Sequence, residues 1–338
     1  MVTETPKRNV MRAQIYNKLD TLQLTAEKPT DRGLTNLQKR AKAKYLQTPK
    51  LYLLLNHATI LKDSTKGYQR ALNCAETMVY DEDKQKYIAH YCFDRSCNVC
   101  NRIRTADLIE TYKEDFEALN DPYLVTLTAP NVKADFLDIE IKRMQKIIRK
   151  IADNGRKHNI LFKGVRKLEI TYNIDRADYH PHFHFIVEGD IEAGYLLQKW
   201  LIHNPEATRN AQDIRKADMN SLKELFKYAL KETDATNRKK KDIRPIPIFA
   251  LHHIYKTLKG KRTFQSMGYF AQGIDDAENE IPKIIAQEKS ENIGAVLYWN
   301  DKAHDYINRE GEKLTKYKPT KKDLKQRNKY EEVYTLSG

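Results

Sequence analysis

The stretch with the most chemical promise is DYHPHFHFIVEG, Asp178 to Gly189. Side chains two apart on a β-strand project from the same face, so His182 and His184 stand together while Phe183, Phe185 and Val187 point into a core. Two imidazoles opposite an apolar face suit a metal ion. The plainer alternative is a pair of histidines satisfied by hydrogen bonds, a reading that would suffice for a lone His. Just upstream, RKLEITYN (Arg166 to Asn173) alternates Leu168, Ile170 and Tyr172 with Glu169, Thr171 and Asn173, the period of a half-buried strand. A polar loop at 174–178 joins the two strands as an antiparallel hairpin. Any register that buries Leu168 and Ile170 beside Phe183 and Phe185 puts Glu169 on the histidine face. That trio suits a divalent ion with positions left open; the alternative for Glu169 is a solvated strand residue. His180 is a further candidate ligand, although Pro181 marks a strand start and leaves its direction open.

The four cysteines fall together as Cys74, Cys92, Cys97 and Cys100, with 17, four and two residues between them. Cys97-x-x-Cys100 has zinc-knuckle spacing, and the other two thiols could complete a closed, structural Cys₄ site for Zn²⁺. The alternative is a set of buried free thiols. A redox role fits less well, because no strand–turn–helix pattern of a thioredoxin surrounds the pair.

A third stretch, SLKELFKYALKETD (Ser221 to Asp234), has helical period, with Leu222, Leu225, Phe226 and Ala229 as the buried stripe. Tyr228 lies about 120° from the centre of that stripe, on the face shared with Glu224 and Lys231. Glu224 and Tyr228 are neighbours at i and i+4. On spacing alone Ser221 to Glu224 also fits a capping box, and Tyr228 also fits a half-exposed surface ring. Basic residues follow at Arg238, Lys239, Lys240 and Lys241, then at Lys259, Lys261 and Arg262. Interleaved with Tyr255, Phe264, Tyr269 and Phe270, they suit phosphate contacts and base stacking. A solvated charged face accounts for the charges equally well.

The elements that must position these groups alternate in kind. A helix is expected over Asn101 to Leu119, a strand from Pro122 that ends at Pro130, and a helix carrying Leu137, Ile141, Met144, Ile148 and Ile151 that closes at Asn154-Gly155. The hairpin follows, then a helix over Gly194 to His203 and a strand-like run, Ile246 to Tyr255. The fold class is α+β: an antiparallel sheet with helices on one face and the metal site on the other, open face, plus a Cys-rich insertion. The expected divisions are a basic, mainly helical arm (1–65), a Cys-rich segment leading into a helix (66–120), a core (121–275) and a charged, partly flexible C-terminal region (276–338). The 338 residues carry a net charge of +14, which calls for a polyanionic partner. Nucleic acid is the default and an anionic membrane surface the competitor. No apolar run approaches membrane-spanning length and the N-terminus lacks a signal-peptide pattern, so a cytoplasmic location is expected.

In order along the chain, CNVCNRIR, LVTLTAPN, LEITYN with YHPHFHFIV, ELFKYALK and IYKTLKGKRTFQSMGYF resemble the plasmid rolling-circle replication initiators of the HUH endonuclease superfamily, single-tyrosine branch. The resemblance covers about Cys74 to Phe270. It implies an HUH-type sheet with His182, His184 and Glu169 as ligands of Mg²⁺ or Mn²⁺, Tyr228 as nucleophile, and Glu224 activating water in the closing step. Lys227 and Lys231 are candidate DNA contacts on the tyrosine helix, and Lys231, by its spacing, could favour the phenolate. Only ~0.1% of a phenol of pKa about 10 is ionised near pH 7, so the metal's help is needed. Attack would leave a 5′-phosphotyrosyl link and a free 3′-OH to prime synthesis. Implied partners are single-stranded or hairpin DNA at a replication origin and a host helicase, with no membrane and an open oligomeric state. Two features depart from the pattern: His180 stands where Asn or another residue is usual, and Asn98 where Pro is. A relaxase or single-strand transposase would share the chemistry, and a non-catalytic, zinc-containing DNA-binding regulator would lack it.

Overall fold

The computed structural model describes residues 34–83, 86–226, 245–268 and 293–335. In chain order the elements are α1 (Asn36–Ile60), α2 (Lys66–Leu72), β1 (Thr77–Asp81), β2 (Lys86–Ala89), α3 (Asn98–Glu117), β3 (Pro122–Thr128), α4 (Ala134–Lys157), β4 (Gly164–Asn173) and β5 (Asp178–Glu188). Then come α5 (Asp190–His203), β6 (Asp213–Lys216), α6 (Met219–Phe226), α7 (Ile248–Leu258), β7 (Phe264–Met267), β8 (Ile293–Asn300), β9 (Asp305–Ile307) and α8 (Lys321–Thr335). The chain divides into two compact units, Arg102–Glu278 and the pair of segments Met1–Asn101 with Asn279–Gly338. The fold is mixed α/β with antiparallel sheets.

In the unit Arg102–Glu278 the strands run in the order β6-β3-β5-β4-β7, and every pairing is antiparallel. Its central strand β5 is the histidine strand. Val125, Leu127, Leu168, Ile170, Phe183 and Phe185 are buried on one face, against which α4 and α5 pack. Helix α4 is a strongly amphipathic case: Leu137, Ile141, Met144, Ile148 and Ile151 make its buried stripe. Asp135 in its first turn and Arg156 and Lys157 in its last complement the helix dipole. It runs past the expected stop at Asn154-Gly155 to Lys157. Gly155 sits within a tight approach there, since a Cβ would lie 2.9 Å from the Ile160 carbonyl oxygen.

The histidine face is not left open along its whole length, contrary to expectation. Leu124, Val165 and Ile186 share the parity of the histidines and are buried in a second core. That core also holds Leu108, Tyr112 and Phe116 of α3, with Leu222, Leu225 and Phe226 of α6. Phe226 stacks on Tyr112 with ring centroids 5.2 Å apart, a geometry worth about 0.5–1.5 kcal/mol beyond area burial. Each strand therefore changes character along one face, apolar at one end and polar at the other. Helices flank both sides of the sheet.

Of the run Ile246 to Tyr255, expected as a strand, the part from Ile248 onward belongs instead to helix α7. Ala250, Leu251, Ile254, Tyr255 and Leu258 are buried at helical spacing behind Pro247 at the N-cap. A short apolar run carries too little periodicity to separate strand from helix, and tertiary burial decided it.

In the other unit, the sheet order is β2-β1-β8-β9, and the apolar island GAVLYW supplies β8. Thr35 and Gln38 form a capping box at the start of α1. Pro49 lies inside that helix and cannot donate to the Tyr45 carbonyl one turn earlier. Arg327 of α8 supplies the missing donor, its Nη1 lying 2.8 Å from that oxygen. Among the described residues, no helix is long and apolar enough to cross a membrane.

Candidate active site and a four-thiol cluster

The β4–β5 hairpin owes its register to local chemistry. Asn173 Oδ1 accepts from the Arg176 amide at 3.0 Å, closing the turn over 174–177. At the far end of β4, Gly164 has φ +151°, and a Cβ there would fall 1.9 Å from the Ile186 carbonyl oxygen, so only glycine lets the strands close. The resulting pairing sets Glu169 opposite His182, and His182 opposite Thr128 on the other side.

Glu169, His182 and His184 offer one ligand atom each within 4.8 Å of one another. His182 Nε2 is 3.7 Å from Glu169 Oε1, and His184 Nε2 is 3.6 Å from Glu169 Oε2. Two ligands each about 2.1 Å from one ion lie roughly 3.0–3.5 Å apart, so the trio needs little movement to share one. The other ring nitrogens are held from behind. His182 Nδ1 lies 3.1 Å from the His180 carbonyl oxygen. A carbonyl only accepts, so Nδ1 carries a proton, and in the neutral ring Nε2 is the atom with the lone pair. His184 Nδ1 meets Thr126 Oγ1 at 3.0 Å, the orienting contact that metal-binding imidazoles usually have. Glu169 is buried, while the His184 side chain keeps 20% exposure, so the site has a wet side. A divalent ion fits this donor set.

His180 lies on the same face, its ring centroid 5.2 Å from that of His182, but the group of three excludes it. Asn131 Nδ2 donates to Asp178 Oδ1 at 2.6 Å, which turns Asn131 Oδ1 toward His180 Nδ1 at 2.7 Å. Burial, then the charges of His182 and Arg176, push the His180 pKa down to about 4, so its ring is neutral at physiological pH. The end of β3 beside the site is fixed by Gln212, whose Oε1 accepts from the Thr128 amide at 2.7 Å and whose Nε2 donates to Thr128 Oγ1 at 3.0 Å. Trp200 Nε1 donates to the Thr128 carbonyl at 2.9 Å.

One site residue escaped the sequence reading. Lys167 Nζ lies 2.9 Å from Glu169 Oε2, with side chains only 1% and 3% exposed. Its signal was present in the alternation: two residues before Glu169, it must share the histidine face.

Helix α6 begins earlier than the spacing suggested. Asp218 caps it, its Oδ1 accepting from the Ser221 amide at 2.8 Å while its own amide donates to Ser221 Oγ at 3.2 Å. The expected Ser221–Glu224 capping box is therefore replaced by one a turn earlier. Glu224 is 61% exposed and pairs with Arg215 of β6 at 3.4 Å. Tyr228, Lys227, Lys231, Arg238, Lys239, Lys240 and Lys241 lie outside the described residues. Lys259 and Arg262 are exposed, whereas Lys261 Nζ is taken up by Asp138 and the Thr257 carbonyl. The Leu168 amide donates to the Thr263 carbonyl at 2.7 Å, which sets this basic segment along the edge of β4.

In the other unit the four cysteines converge, their sulfurs all within 4.8 Å of one another. Each sulfur receives a backbone amide: Cys74 from Cys92 at 3.4 Å, Cys92 from Asp94 at 3.4 Å, Cys97 from Cys100 at 3.5 Å, and Cys100 from Phe93 at 3.2 Å. Burial raises the Cys97 thiol, but hydrogen bonds from Cys100, Cys74 and Cys92 outweigh it and hold this group well below the ordinary range. Contacts from Cys74, Cys92 and Cys97 hold Cys100 well above it. Four such sulfurs cannot ionise together without a cation among them. The cluster fits a metal that prefers thiolate.

The chain is thus a mixed α/β protein whose described residues hold two candidate metal sites, one of sulfur and one of imidazole and carboxylate. A family model described as "Replication protein" matches residues 83–206, a span that includes Cys92, Cys97, Cys100 and the Glu169–His182–His184 cluster. "Protein rep" of Staphylococcus aureus is 33% identical over 181 residues, 48% of this chain and 79% of that protein. "Protein rep" of Bacillus amyloliquefaciens is 25% identical over 289 residues, 72% of this chain and 85% of that one. "Protein rep" of Streptococcus pneumoniae serotype 2 is 25% identical over 300 residues, 80% and 88% of the two chains. No solved structure matches the chain. The protein belongs to the Rep family of plasmid replication initiators.

Proposed function

We propose that the protein starts plasmid replication as a metal-dependent, strand-specific DNA nicking and joining enzyme of HUH type, acting on single-stranded or hairpin DNA at an origin. The observation that carries this reading is the Glu169–His182–His184 cluster, set on the sheet face against which α6 packs. Tyr228 follows Phe226, the last described residue of α6, by two positions. Glu169, His182 and His184 would hold a Mg²⁺ or Mn²⁺ ion, which would supply Lewis-acid polarisation of the scissile phosphate. The Tyr228 phenolic oxygen attacks phosphorus as its proton passes to solvent water. The bond from phosphorus to the 3′-oxygen breaks, and that oxygen takes up a proton as the 3′-OH. The new phosphotyrosyl ester keeps the energy of the phosphodiester for later rejoining. Glu224 serves as base toward water in the closing step, and Lys227, Lys231 and the basic residues at 238–241, 259 and 262 contact phosphates. Zn²⁺ in the four-thiol cluster is structural.

The test is denaturing electrophoresis with labelled single-stranded origin DNA and Mn²⁺. A covalent adduct with the wild-type chain that is absent in Tyr228→Phe, with DNA binding retained, supports the reading. Adduct formation by Tyr228→Phe at the wild-type rate removes the nucleophile assignment.

A further inference from the structure

We propose that Lys167 is a built-in counter-cation of the imidazole–carboxylate site, holding its affinity for divalent metal low so that the ion exchanges readily. The inference rests on reading that cluster as a metal site. Alternation along β4 puts Lys167 and Glu169 on one face, and the β4–β5 register sets Lys167 opposite His184. Its ammonium reaches Glu169 Oε2 at 2.9 Å, and the same oxygen is 3.6 Å from His184 Nε2. Both partners are almost wholly buried, so little solvent screens the ammonium from an ion placed between the imidazoles and the carboxylate.

The consequence is a matter of charge. Two neutral imidazoles and one carboxylate carry −1 as a donor set, and the Lys167 ammonium on that carboxylate offsets this charge. A divalent ion entering must share the carboxylate with a cation already bound to it. The pair also keeps Glu169 in place when no ion is there, because a buried carboxylate without a cation nearby is costly. A purely structural ion pair would predict the opposite on its removal: a disordered Glu169 and a weaker site.

Direct Mn²⁺ binding by the full-length protein, read from the free-ion EPR signal, separates the two. Lys167→Met is expected to bind Mn²⁺ at least about tenfold more tightly than wild type, whereas Lys167→Arg stays within about threefold because it keeps the charge. In the metal-free state Lys167→Met melts below wild type, and its rise in melting temperature with Mn²⁺ is the larger of the two. Should Lys167→Met not fold, Lys167→Gln carries the same measurement. Mn²⁺ binding by the charge-removing variant that is equal to or weaker than wild type overturns the proposal while leaving the metal reading intact. Loss of all Mn²⁺ binding in a His182→Ala/His184→Ala double variant confirms where the ion sits. If the wild-type chain shows no binding that depends on these histidines, the metal reading falls and this proposal with it.

Discussion

The four-thiol cluster and the Glu169–His182–His184 cluster are both groups of donors within 4.8 Å of one another, yet they are built in opposite ways. The sulfurs are wrapped by their own loop: three of the four cysteines fall within Cys92–Cys100, and neighbouring amides point at every sulfur. The imidazoles stand on a long-range sheet, held through their far nitrogens by Thr126 Oγ1 and the His180 carbonyl, with His184 partly exposed. One donor set is enclosed by fixed dipoles, and the other is half open beside a lysine. On the function proposed above, that is the difference between a site that retains its ion and one with room for a phosphate.

The comparison breaks first at the thiols. Cys97→Ser or Cys100→Ser is expected to abolish zinc binding and melt the unit that contains the cluster, since thiolate zinc sites supply on the order of 10 kcal/mol of folding free energy. Metal content by atomic absorption and thermal melts by circular dichroism check this, and a zinc-free variant with unchanged melting would erase the distinction. The imidazoles should behave otherwise. His182→Ala with His184→Ala should lower covalent adduct formation by about 10²–10³-fold or more, the size expected from losing several kcal/mol of Lewis-acid stabilisation, while the circular dichroism spectrum stays native. A smaller effect sharpens the contrast: Thr126→Val should weaken Mn²⁺ binding or activity by about 10–100-fold, through a freed His184 ring. Smallest of all, Arg215→Ala breaks an exposed pair with Glu224 and should change stability by less than about 0.5 kcal/mol in a denaturant melt. A larger loss would mean that Glu224 is held for more than its charge.

Much of the fold was legible because its signals are local. The stripe Leu137–Ile141–Met144–Ile148–Ile151 named helix α4, and alternation named β4 and β5. Where a run was short and apolar, as at Ile246 to Tyr255, periodicity was too weak, and burial made its part from Ile248 onward the helix α7. The cap of α6 was misplaced by three residues because Asp218 and Ser221 are both good caps, and only the chain's approach selects between them.

Sequence alone determined which residues share a face, since strand parity is a property of the backbone: Glu169 had to join His182 and His184. It also determined that four thiols were available to meet. Only the tertiary structure decided how far along that face the core extends, because the docking of α3 and α6 over Leu124, Val165 and Ile186 depends on contacts between residues distant in the chain. The same holds for Lys167, whose parity was readable but whose 2.9 Å approach to Glu169 is a matter of burial on both sides.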